Sequence, residues 1–110
     1  MLKKSQRLTH SQFDEYFKSG KRFHFPHCTV VYTPHDSLQV AIVVGKKVSK
    51  LAVRRNTIRR RLYSVLRNEL LQDAVTGVFI VLVKPTFTTL PRKTAAAEIQ
   101  QNIATVLKKT

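Results

Sequence analysis

Arginine and lysine crowd one stretch of the chain, and their chemistry is anion binding. Gly45 to Asn68, GKKVSKLAVRRNTIRRRLYSVLRN, holds Lys46, Lys47, Lys50, Arg54, Arg55, Arg59, Arg60, Arg61 and Arg67 and not one acid. Guanidinium forks bind phosphate oxygens bidentately. Cations without counter-charges repel one another, so a solvated basic face with no partner is the costlier reading. The other reactive side chains are His10, His24, His27, His35 and the single Cys28. Cleavage of RNA by protein side chains needs two groups of tuned pKa around a phosphate, with a cation nearby. His24, His27 and His35 lie in or beside a predicted hairpin with no acidic orienter. His24, His27 and Cys28 invite a zinc reading, yet a structural site wants a fourth ligand, and there is no second cysteine. Three isolated glycines cannot cradle a phosphate. The expectation is no catalytic residue and no metal ligand on the protein, and a polyanion as its partner.

The basic stretch must be carried by a helix. Ile58, Leu62, Val65, Leu66 and Leu70 recur on one helical face. The helix is expected to start between Leu51 and Asn56 and to end near Gln72. At roughly 100° per residue, Arg55 and Arg59 fall close to the apolar stripe, while Asn56, Arg60 and Arg67 point away from it. Such a helix buries its C-terminal turns and leaves its N-terminal turns uncovered, where the positive end of its dipole adds to the arginines. Arginines over most of its circumference suit a folded RNA around the helix end. Charge alone, however, does not separate RNA from DNA. A DNA reader would more often precede this helix with another helix, and here a strand precedes it.

The remaining elements follow in order. Met1 to Leu8 is a basic lead-in. Thr9 and Gln12 have capping-box spacing, Leu8 and Phe13 that of a hydrophobic staple, and a helix runs from His10 to about Lys18, stopped by Gly20. Phe13 and Phe17 share a face of it with Tyr16 beside them; core packing and stacking on unpaired bases both fit these aromatics and Tyr32. Arg22 to Tyr32 reads as a strand, Pro34 to Ser37 as a turn and Leu38 to Val44 as a second strand, together an antiparallel hairpin. Pro26 places the start of the first strand at an edge or a bulge. Gly77 precedes VFIVLV, a strand buried on both faces. Thr86 to Lys93 reads as a loop. Thr94 caps a last helix, Ala95 to about Lys108, with Ala96, Ile99, Ile103, Val106 and Leu107 on one stripe. The order α-β-β-α-β-α predicts an α+β sandwich, a small mixed sheet with a central basic helix.

Composition bounds the rest. A chain of 110 residues, 43% hydrophobic and without repeats or a flexible linker, is read as one RNA-binding domain, 1–110. Its net charge of +14 favours nucleic acid. The apolar run Val78 to Val83 is too short to cross a bilayer, the N-terminus lacks the apolar stretch of a secretory signal, and a membrane-surface helix would want Trp, Phe or Leu opposite its cations. A lone cysteine excludes an internal disulfide and fits a reducing cytoplasm.

At Arg55-Asn56 the chain resembles the protein subunit of bacterial ribonuclease P. That family carries a Lys-Lys at the end of a strand, a short basic link, and Arg-Asn-x-x-(Lys/Arg)-Arg in a central helix. Here these are Lys46-Lys47 and Arg55-Asn56-Thr57-Ile58-Arg59-Arg60. Arg7-Leu8, Phe13-x-x-x-Phe17, Gly20 and the Val-Tyr-Thr strand ending at Thr33 extend the likeness over nearly the whole chain. The resemblance implies a noncatalytic partner of a catalytic RNA. Together they remove the 5′ leader of precursor tRNA, using magnesium ions bound mainly by the RNA. By position, it implies that Arg55, Asn56, Arg59 and Arg60 contact the RNA subunit, with Lys46, Lys47 and Arg54 in support and Arg61 as a further candidate. It implies a leader cleft lined by Phe13, Phe17 and Tyr32 and a left-handed β-α-β crossover; no protein partner is implied, and composition argues against a membrane. Thr57 stands where a third signature arginine is usual, and Tyr63 where another basic residue is common. The alternatives are a ribosomal or other structural RNA-binding protein without a role in cleavage, and a protein-only nuclease.

Overall fold

A computed structural model describes residues 10–72 and 76–109 of the chain. The elements in order are α1 (His10–Ser19), β1 (Lys21–His24), β2 (Cys28–Thr33), β3 (Leu38–Val43), α2 (Ala52–Gln72), β4 (Gly77–Val83), a 3-10 turn (Pro85–Thr89) and α3 (Arg92–Lys108). Thr9 and Leu8, and with them the expected capping box and staple, lie outside the described residues.

The sheet order is β1-β2-β4-β3. β4 pairs antiparallel with β2 and parallel with β3, so it separates the two segments that were expected to form a hairpin. The reason lies in its composition. Val78 to Val81 are all buried, and a strand that is apolar on both faces needs a neighbour on each edge and a layer on each side. The hairpin that does form is shorter. The expected strand from Arg22 to Tyr32 breaks at Phe25–His27, where the Phe25 N–H donates to the Cys28 carbonyl at 2.9 Å, and β1 folds back antiparallel on β2. Pro26 therefore sits in a turn, where its missing N–H leaves no gap in a ladder.

Alternation along the strands assigns every side chain to one of two layers. Cys28, Val30, Leu38, Val40, Ile42, Phe79, Val81 and Val83 meet Leu62 and Leu66 of α2 and Ile99, Ile103 and Val106 of α3. Val31, Val78 and Ile80 face the other way, toward Phe13, Tyr16 and Phe17 of α1. The helices thus lie α1 on one face and α2 with α3 on the other. α3 starts at Arg92, two residues before the expected cap Thr94. Pro91 takes the N-cap position with φ −59°, ready for a helix, and its carbonyl accepts the Ala95 N–H at 2.8 Å. The expected loop after β4 contains the 3-10 turn, which buries Phe87.

Two glycines permit close approaches. Gly20 ends α1, as expected, but for a steric reason, since a Cβ there would lie 2.8 Å from the Tyr16 carbonyl and clash with Val31. Gly77 opens β4 with φ +121°, and a Cβ there would lie 2.7 Å from a Tyr32 ring carbon. Gly77→Ala should cost roughly 1–3 kcal/mol of stability, from backbone strain and overpacking together. In urea unfolding, the same change made in a Tyr32→Ala background should cost measurably less, because only the strain remains. Equal costs in both backgrounds would remove the steric contribution.

Candidate nucleic-acid interface

The segment from the end of β3 to the middle of α2 is built as one unit. After Gly45 the chain turns, with the Val48 N–H donating to the Gly45 carbonyl at 3.0 Å. Ser49 Oγ accepts the Leu51 N–H at 3.3 Å just before α2 begins. Arg55 Nη1 reaches back to the Ser49 and Lys50 carbonyls, at 3.0 and 3.1 Å. Arg55 is therefore a strut, half-buried, that pins the basic link to the helix. Arg59, also half-buried, donates through Nη2 to Asn56 Oδ1.

The helix divides its cations by direction. Leu62 and Leu66 are buried, Ile58 and Val65 half-buried, and Asn56, Arg60 and Arg67 are exposed. Arg54 and Arg61 are exposed on another flank, beside Thr57, where α2 faces the 3-10 turn and the start of α3. The opposite flank holds Tyr63, whose Oη accepts the Ile42 N–H of edge strand β3 at 3.3 Å. The residue at a commonly basic family position thus ties the helix to the sheet. Leu51 and Val53, at the uncovered start of α2, are 62% and 77% exposed. Apolar side chains left in water between cations are what a partner surface would cover.

The second basic surface lies on the α1 face of the sheet. Phe13 and Phe17 stack at 5.5 Å between centroids and 22° between planes. They are half-buried, packed on the edge of the Val31, Val78 and Ile80 cluster. Arg22 stands 4.4 Å over the Phe17 ring, and its Nη2 donates to the Phe17 carbonyl at 3.1 Å. α1 does not cover the far end of this face. There Thr29, Val43 and Leu82 floor an open hollow of about 330 Å³ rimmed by Lys46, Lys47 and Lys84. Lys46 and Lys47 therefore belong to the hollow as well as to the link leading into α2. Lys84 Nζ is held by the Phe25 carbonyl at 2.7 Å.

Tyr32 does not join Phe13 and Phe17. Its neighbour Val31 faces α1, so alternation turns Tyr32 to the opposite face, where its ring lies 5.0 Å from that of Phe79. Sequence reasoning also passed over Arg22, Thr29 and Lys84. Lys84 follows the buried strand directly, which was a usable signal. Arg22 and Thr29 carried none, since their placement depends on the break at Pro26.

The remaining reactive side chains diverge. His24 Nδ1 pairs with Thr29 Oγ1 at 3.3 Å on the α1 face, and His27 Nδ1 with Thr86 Oγ1 at 3.0 Å. His35 Nδ1 accepts the Ser37 N–H at 3.1 Å. Cys28 points into the core on the other face, where Asn102 Nδ2 donates to its sulfur at 3.3 Å. Among the described residues, no three His, Cys, Asp or Glu side chains are placed to hold a metal ion. Burial pushes the Cys28 thiol up from 9.0 to about 11, opposed by the Asn102 hydrogen bond and the charge of Lys84 and reinforced by Glu98.

The matches to known proteins agree with this architecture. The ribonuclease P family model matches residues 2–110. The ribonuclease P protein component of Microcystis aeruginosa is 35% identical over 92 residues, 76% of either chain. That of Thermus brockianus is 36% identical over 93 residues, 84% of this chain and 52% of that one. The solved structure of the Staphylococcus aureus RNase P protein superposes with a TM-score of 0.74 at 22% identity, covering 96% of this chain and 94% of that one. The Thermotoga maritima RNase P protein gives 0.72 at 20% identity, covering 94% and 96%. The structural likeness speaks for the fold, and the sequence matches speak for the family.

Two outcomes are expected from this geometry. Tyr63→Phe should lower stability by about 1 kcal/mol in urea unfolding, the net contribution of one hydrogen bond. The raised Cys28 pKa means the fold prefers the neutral thiol. Its contribution is complete below pH 9 and is lost as pH rises toward about 11, where the unfolded chain binds fewer protons than the native one. Unfolding free energies from pH 8 to 11 should therefore fall more steeply for the native sequence than for Cys28→Ala; parallel curves would contradict it.

Proposed function

The chain belongs to the ribonuclease P protein family, and from that premise we propose how its two basic surfaces divide the work. It is an RNA-binding component of an endoribonuclease ribonucleoprotein that matures the 5′ end of tRNA. On our reading, the N-terminal half of α2 docks on the catalytic RNA subunit. Arg60 and Asn56 supply outward contacts, and Arg55 and Arg59 supply contacts preset by their own hydrogen bonds. The observation that carries this is the exposure of Leu51 and Val53 among uncompensated cations at the start of α2.

The hollow on the α1 face is suited to a single strand, the 5′ leader of precursor tRNA. Its apolar floor and the Phe13–Phe17 stack offer surfaces to unpaired bases, and Lys46, Lys47 and Lys84 offer charge to the backbone. Tyr32, on the other face, is left out of this cleft. On this reading the chemistry belongs to the RNA subunit, whose magnesium ions would supply the activation of water. The donor set of the described residues does not fit a metal ion, so no step is assigned to one on the protein. What the side chains do is bind, orient and neutralise phosphate charge. A cytoplasmic setting is part of the proposal, in keeping with the RNA partner; no described helix is long and apolar enough to cross a membrane.

The first test adds the purified protein to a bacterial ribonuclease P RNA and a leader-bearing precursor tRNA at low magnesium. Cleavage at the mature 5′ end that depends on both is expected. Binding without stimulated cleavage would favour a structural RNA-binding protein. Arg60→Ala should weaken binding to the RNA subunit and reduce the salt slope by about one unit. Arg55→Ala should do the same and also destabilise the fold, because it releases the link. Phe17→Ala should weaken precursor binding while leaving mature tRNA binding nearly unchanged; an equal loss for both ligands would sink the cleft assignment.

A further inference from the structure

A third feature of the surface is not used by either contact. Between α2, the 3-10 turn and the first turns of α3 runs a groove of about 490 Å³, within the roughly 300–1,000 Å³ typical of small-ligand sites. Ile58, Leu62 and Val65 form its α2 wall, with Phe87, Leu90 and Ala95 opposite. Arg54, Thr57 and Arg61 stand on its rim, and among the described residues none that lines it is acidic. Arg54 and Arg61 are seven residues apart, so they lie about 20° from each other around the helix and about 10 Å along it. The amino-terminal turns of α3 close one end with the positive pole of the helix dipole. An apolar slot between two cations matches one nucleotide, a base with a phosphate on either side.

We propose that this groove takes one unstacked nucleotide of the RNA subunit, its base against the half-buried Ile58, Val65 and Leu90 and its flanking phosphates on Arg54 and Arg61. The inference rests on the reading that α2 docks on that RNA. The groove opens on a flank of the same helix that carries Arg60. It lies on the opposite side of the sheet from the Phe13–Phe17 stack and the lysine-rimmed hollow, which places it with the RNA subunit rather than with the leader. A second copy of the chain is a poor occupant, since each carries a net charge of +14. The proposal also explains Arg61, which stands on the flank where Thr57 leaves a signature arginine missing.

The experiment measures affinity for the RNA subunit over a range of salt for the native chain and four variants. Ala96→Trp fills the groove without touching its charges. It should weaken binding by about five- to a hundredfold, the range for one base stacked on protein, with the salt slope unchanged. Arg54→Ala with Arg61→Ala should lower the slope by roughly two units. Thr57→Glu, at an exposed position on α2, places a carboxylate between the two arginines and should also weaken binding; it serves if the tryptophan variant does not fold. In each case the ratio of precursor to mature tRNA affinity should stay as in the native chain. Native affinity in both Ala96→Trp and Thr57→Glu, with Arg60→Ala still impaired, would overturn the groove and leave the α2 docking intact. An unimpaired Arg60→Ala would overturn the docking and the groove with it. Self-association of the native chain in sedimentation that Ala96→Trp abolishes, with RNA binding unchanged, would assign the groove to a second copy and refute the proposal.

Discussion

Val78 to Val83 presents no polar side chain to water on either face, and that single demand arranges the sheet. Each of these side chains stabilises the fold by roughly 1.5–3 kcal/mol only if it is covered. β4 can be covered on both faces only at an interior position with helices on both sides. It therefore separates β2 from β3, pairs with each and leaves β1 and β3 as the edges. Because β3 and β4 run parallel as neighbours, the chain between them has to cross over one face. That crossover is the basic link and α2. The main cationic element is thus strung between edge strand β3 and the buried strand β4.

The anchoring decides how the charge is displayed. Leu62 and Leu66 hold the middle of α2 on the sheet, and the Tyr63 hydroxyl fastens the same turn to β3. The turns before them have no layer beneath them. Their arginines are consequently displayed outward or folded back on the link, as Arg55 is. A guanidinium held by two carbonyls loses less freedom when a phosphate arrives, so part of the ordering cost of binding is met in the fold itself.

The sheet keeps the surfaces apart. One face carries α1, the stacked phenylalanines and an uncovered apolar floor bordered by lysines. The other carries α2 and α3, with the groove between them. On the proposed reading two nucleic-acid strands approach opposite faces without competing for the same arginines, and Lys46 and Lys47 stand at the border of both surfaces.

Much of this was legible in the order of the residues. The helical stripe from Ile58 to Leu66, the cations around it, the doubly buried strand at Val78 and the lone phenylalanine pair of α1 all follow from local periodicity, which the backbone imposes on any sequence. The family resemblance rests on Lys46-Lys47 and Arg55-Asn56, which are likewise local. Pairing is different. Whether Leu38–Val43 would lie beside Cys28–Thr33 or beside β4 is a competition between edges far apart in sequence, and the continuous apolar run of β4 won it. Whether Val31 or Tyr32 would face α1 is equally invisible, because alternation gives two faces without saying which one a helix will cover. One residue of register therefore sets Tyr32 on the face away from Phe13 and Phe17. The sequence by itself determined which residues carry charge, where the basic helix and the doubly buried strand fall, and what kind of partner they suit. Only the tertiary structure decided which of those residues meet, because that depends on which apolar surfaces find one another across the whole chain.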